Sequence, residues 1–114
     1  IDDGAGVAII TEAARLIGER RPRRTIRILL AGAEENGVHG GAAYARAHAG
    51  DNHVVALESD FGAGRVYALR TRFAESAAPH ARALQRALAP LGILSSSARA
   101  FGGADIGDLA EAGT

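Results

Sequence analysis

At 114 residues the chain has room for one domain, and its 47% hydrophobic and 23% charged residues exclude a disordered polypeptide. Thirteen Arg, with no Lys, balance thirteen Asp plus Glu, so net charge draws the chain neither to nucleic acid nor to an anionic membrane. The absence of Cys excludes disulfides, thiolate nucleophiles and Cys-ligated metals, and no apolar run reaches the roughly 18 residues of a membrane span.

The chain opens on Ile1 and contains no Met, which reads as an internal piece of one larger domain, truncated at both ends. Val7, Ile10, Ala14 and Ile17 recur at helical spacing with Glu12, Arg15 and Glu19 between them, predicting an amphipathic helix that ends near Arg20, before Pro22. Thr25 to Ala31 (TIRILLA) has the apolar, branched composition of a largely buried strand. A loop with Glu34 and Glu35 follows, then an Ala-rich helix over Gly37 to Ala49 and a second strand over His53 to Asp60.

Strand, helix and strand in that order predict a right-handed parallel crossover. Val66 to Thr71 predicts another strand, Pro79 to Leu91 a helix with Pro in its first turn, Ile93 to Phe101 a short strand, and Gly102-Gly103 a lead into a last helical turn near Leu109. The fold class expected is α/β: a mostly parallel sheet flanked by helices, incomplete as it stands.

Acidic residues fall at element ends: Asp2 and Asp3 before the first helix, Glu34 and Glu35 after the first strand, Asp60 after the second. In a parallel sheet those strand ends share one edge, where ligands bind. Carboxylates gathered within about 4 to 6 Å raise one another's pKa, a cost that a divalent cation removes. Oxygen donors suit hard or borderline metals, and zinc is favoured when His joins them. Adjacent side chains in extended backbone point to opposite sides, so Glu34 and Glu35 divide naturally into a metal ligand and a general base.

Four blocks carry a family resemblance: Asp2-Asp3-Gly4-Ala5-Gly6, Arg24-Thr25-Ile26-Arg27, Ala33-Glu34-Glu35-Asn36-Gly37 with Gly40, and Glu58-Ser59-Asp60. In this order they resemble the two-zinc exopeptidases of metallopeptidase family twenty-eight. The resemblance implies an α/β/α sandwich holding two zinc ions. Asp2 would bridge both metals, with a cis peptide between Asp2 and Asp3, while Glu34 acts as general base, Glu35 ligates one zinc and Asp60 the other.

The resemblance also implies one His per metal, both outside these residues, so that the 114 residues alone would be inactive. Asp105 resembles a position that holds the substrate end, and Asp3 stands beside the metals. The activity implied is hydrolysis of a terminal peptide bond, an aminopeptidase first. The alternatives are a carboxypeptidase or dipeptidase of the same family, or an inactive binding ectodomain. Retention of all four acidic positions argues against the last. The implied partner is a peptide, with no nucleic acid and no membrane segment, and the implied compartment is secreted or periplasmic.

The remaining candidates read more simply. His39, His48, His53 and His80 are expected as surface or turn residues, and Arg20, Arg21, Arg23 and Arg24 as a solvated helix-to-strand connection. Gly4, Gly6 and Gly40-Gly41 lack the surroundings of a phosphate loop, so Gly4 and Gly6 are expected to permit close packing. Ser95 to Ser97 lack the elbow of a hydrolase nucleophile.

Overall fold

The computed structural model describes residues 2–60, 64–101 and 103–113. The chain divides into two compact units, one of residues 1–63 with 102–114 and one of residues 64–101.

The first unit starts with α1 (Gly4–Gly18), whose Asp3 side chain accepts a hydrogen bond from the Gly6 N–H at 3.1 Å. An Asp at that place satisfies one of the orphan donors of the first turn, which fixes where the helix begins. The peptide between Asp2 and Asp3 is cis, as the family resemblance implies. The backbone then runs without helix, turn or bend over residues 25–33 and again over 52–60.

Here the structure departs from the expected strand pair. Neither run belongs to a ladder, and among the described residues no backbone hydrogen bond joins them. The apolar composition was read correctly as extended, but a strand needs a neighbour to pair with, and these two do not pair with each other.

Between them α2 (His39–Ala47) is shorter than expected, because Gly37 and Val38 both donate to the Glu34 carbonyl, at 2.9 and 2.8 Å, and form a turn. Ala33 and Val38 have positive φ (60° and 57°) on either side of that turn. The unit closes with α4 (Gly107–Glu111), which packs near α2 and carries Leu109, the buried hydrophobic residue among those described (6% exposed). Of the expected Gly102-Gly103 lead, Gly102 lies outside the described residues, and Gly103 has φ 80°.

In the second unit the expected strands form a parallel pair, β1 (Ala68–Leu69) and β2 (Leu94–Ser95), with Ala68 opposite Leu94 and Leu69 opposite Ser95. They are shorter than the sequence predicts, although Ala100 N–H donates to the Thr71 carbonyl at 3.2 Å beyond the ladder. The crossover between them is α3 (Ala78–Leu88), with Pro79 in its first turn as expected and single 3₁₀ turns at 75–77 and 89–91 on either side. Gly92, at φ 77°, ends the second of these and turns the chain into β2.

Candidate metal centre

Three carboxylates converge at the start of α1: Asp2, Asp3 and Asp60 each offer an oxygen within 4.8 Å of the others. The cap holds Asp3 at the start of α1 with Asp2 beside it in the chain, and the end of the straight run 52–60 delivers the third. Gly6 makes the approach possible, since a Cβ there would collide with the Asp3 carboxylate and the Ser59 carbonyl. Its expected packing role is therefore borne out, whereas nothing lies near the corresponding position of Gly4.

Glu34 and Glu35 sit where the first straight run meets the turn before α2. The Glu34 carboxyl is pushed above the ordinary range, first by lost hydration and then by the charges of Glu35, Asp105, Asp60 and Glu58. Those causes put Glu34 in the field of the same acidic cluster. Glu35 is exposed and is not one of the three converging acids; Asp3, whose carboxylate also caps α1, is the third.

Asp105 reaches the centre from the loop before α4. Burial and the Asp60 charge raise its pKa, and the backbone N–H of Gly41 opposes the rise. Its Oδ1 is buried with no hydrogen-bond partner among the described residues. A Cβ on Gly41 would collide with the Asp105 backbone, so α2 and this loop are in direct contact.

One residue of the centre had no role assigned from sequence. The Glu58 carboxylate accepts three backbone hydrogen bonds, from Ala104 (3.0 Å), Asp105 (2.9 Å) and Ile106 (3.2 Å), and thereby sets the loop that carries Asp105. The spacing held the clue: Glu58 and Asp60 are two apart in extended backbone, so their side chains leave the same face. The four histidines stay out of the acidic cluster among the described residues. His48 and His53 instead join Arg27, Tyr44 and Asp51 in a surface network.

Carboxylate oxygens this close repel one another without a cation, and a buried acceptor with no donor adds to that cost. The donor set therefore fits a divalent metal, although oxygen donors alone are a weak set for zinc.

The comparisons with known proteins agree on one assignment. The family model "Peptidase family M28" matches residues 1–113. Carboxypeptidase Q of Bos taurus is 41% identical over 66 residues, which cover 54% of this chain and 14% of that protein. The crystal structure of a peptidase M28 precursor from Shewanella amazonensis SB2B superposes with a TM-score of 0.86 at 39% identity, over 100% of this chain and 27% of that one. The chain thus spans about a quarter or less of the relatives it matches. With nearly every residue inside the family model and the backbone shared with a solved member, the chain belongs to peptidase family M28.

Proposed function

We propose that these residues form the central part of a zinc-dependent exopeptidase that hydrolyses a terminal peptide bond, an aminopeptidase by first choice. The observation that carries the reading is the convergence of Asp2, Asp3 and Asp60 within 4.8 Å beside the raised carboxyl of Glu34. Two zinc ions would be held by Asp2, as the shared ligand, with Glu35 and Asp60. When bound, zinc supplies Lewis acidity that polarises a carbonyl oxygen and makes water a better nucleophile.

Glu34 takes the proton from the attacking water and delivers it to the leaving amine nitrogen as the C–N bond breaks. A carboxyl raised by lost hydration and neighbouring charge suits that two-way transfer better than an ordinary one. Asp3 holds the start of α1 so that Asp2 stays at the metals, and Asp105 fixes the end of the bound peptide. The substrate is a peptide, and the compartment is secreted or periplasmic, a reading supported by the solved relative being a precursor. No helix among the described residues is long and apolar enough to cross a membrane.

A carboxypeptidase is the second reading, favoured by the name of the Bos taurus relative. Turnover of N-acetylated against C-amidated peptides separates the two. The roles of the glutamates are tested in the full-length enzyme. Glu34→Gln is expected to keep zinc and lose roughly 10²- to 10⁴-fold in kcat, the usual share of general acid-base catalysis. Glu35→Gln is expected to lose zinc. Near-normal turnover of Glu34→Gln rejects its assignment as the base.

A further inference from the structure

The carboxylate of Glu58 is occupied by the chain itself. Its Oε1 accepts the N–H of Ala104, and its Oε2 accepts those of Asp105 and Ile106. Three successive N–H groups that converge on one point form a concave seat for an anion, and here the anion is a side chain from a distant part of the sequence. Gly103 admits it. A Cβ at that position would collide with the Glu58 carboxylate, and its φ of 80° is one that Gly adopts without strain.

The seat is built around Asp105. From the other side a Cβ on Gly41 would strike the Asp105 backbone, so α2 backs the loop while Glu58 grips it. Asp105 carries a buried Oδ1 with no hydrogen-bond partner among the described residues, an acceptor suited to a donor on a bound molecule. Glu58 and Asp60 leave one face of the run 52–60, and the Ser59 carbonyl between them abuts Gly6 of α1. Three consecutive residues therefore carry both a converging acid of the metal centre and the grip on the loop of Asp105.

We propose that Glu58 is a positioning residue for peptide hydrolysis, acting through Asp105, a role that rests on the assignment of Asp105 to the end of the bound peptide. By filling the seat, Glu58 fixes the Asp105 carboxyl relative to Asp60, and so fixes where the peptide end lies relative to the scissile bond. The short stretch 58–60 sets that spacing, and the chain between Asp60 and Asp105 does not.

The full-length, zinc-loaded enzyme acting on alanyl-alanine, a dipeptide with both ends free, tests this. Glu58→Ala is expected to keep its zinc and to raise KM roughly 10-fold or more, the factor that one hydrogen bond to a charged group is worth. Turnover is expected to fall less than KM rises, because the binding lost is shared by ground and transition states. Acetate is expected to lower the KM of Glu58→Ala toward the parent value, where chloride at equal ionic strength does not, because the emptied seat takes a free carboxylate. Hydrogen exchange at the Ala104, Asp105 and Ile106 amides reads the grip without turnover: slow in the parent, faster in Glu58→Ala.

On an Asp105→Ala background, Glu58→Ala is expected to add nothing to KM, as when one residue acts through the other. Equal effects on both backgrounds would overturn the proposal, as would a parent-like KM in Glu58→Ala. If Glu58→Ala does not fold, Gly103→Ala replaces it, since the added methyl displaces the same carboxylate and is expected to raise KM likewise. Asp105→Ala alone separates the two failures. A parent-like KM there refutes the assignment of Asp105 to the peptide end, whereas a raised KM there beside a parent-like Glu58→Ala refutes the positioning by Glu58.

Discussion

Glu58 shows how much one side chain can fix. Its two oxygens take up three consecutive N–H groups, so removing it strands three donors at once while leaving Asp60, two residues on, chemically intact. Hydrogen bonds to a charged group contribute about 1.5 to 3 kcal/mol each and do not add fully. Glu58→Ala is therefore expected to destabilise the full-length protein by about 3 kcal/mol in denaturant unfolding. Glu58→Gln should lose less than that, since it keeps one acceptor oxygen but turns an amide NH₂ toward the remaining donors. A change of under about 0.5 kcal/mol in Glu58→Ala, the range of an ordinary surface site, would show that the loop before α4 holds itself.

Among elements, the contact of α2 with the backbone around it is settled by polar surface groups. Arg27 Nη1 donates to the Tyr44 hydroxyl (2.9 Å) and to Asp51 Oδ2 (2.8 Å), and Tyr44 meets His53 Nε2 at 2.9 Å. His48 Nδ1 lies 3.1 Å from Arg27 Nη1 and 2.9 Å from Asp51 Oδ2. It accepts from the first or donates to the second, because one ring nitrogen does not do both.

The Arg27 hydrogen bond, then that of His48, lowers the Asp51 pKa below its ordinary value. A carboxyl lowered by folding stabilises the folded state above its unfolded pKa, and that contribution disappears as pH falls through the folded value. The urea midpoints of the parent protein and its Asp51→Asn variant are expected to differ at about pH 6 and to draw together as pH falls below the ordinary carboxylate range. A gap that persists in acid would remove ion pairing as the cause.

The helices were legible in the sequence because their signals are local: the spacing of Val7, Ile10, Ala14 and Ile17, and Pro79 in a first turn. The run 25–31 was legible as extended yet not as unpaired, since apolar composition reports backbone conformation and burial but not which neighbour comes within reach. Asp2, Asp60 and Glu34 could be placed together because strand ends share an edge. Asp3 as a third converging acid could not, because its place is held by the hydrogen bond from the Gly6 N–H, which only the folded helix start supplies.

At the scale of the molecule, Leu109 is the one hydrophobic residue buried among those described, in a chain that is 47% hydrophobic. Cooperative melting needs a shared core, and its heat capacity step scales with apolar area exposed. The 114-residue chain produced alone is expected to melt over a broad range with a small heat capacity step. A sharp calorimetric transition of about 60 to 80 kcal/mol, usual for a domain near this size, would contradict this. Zinc should raise its midpoint only at high concentration, since carboxylates without imidazole hold that ion weakly and stabilisation follows RT ln(1 + [L]/Kd).

The Asp3 cap has an electrostatic consequence of its own. It seats the acids against the amino end of a 15-residue helix, whose aligned peptide dipoles carry about half a positive charge at that pole. The pole attracts negatively charged groups beside it and repels any cation that joins them. Shielding by added electrolyte removes both effects together, so the helix tempers the acids' mutual repulsion and keeps an ion among them easier to exchange.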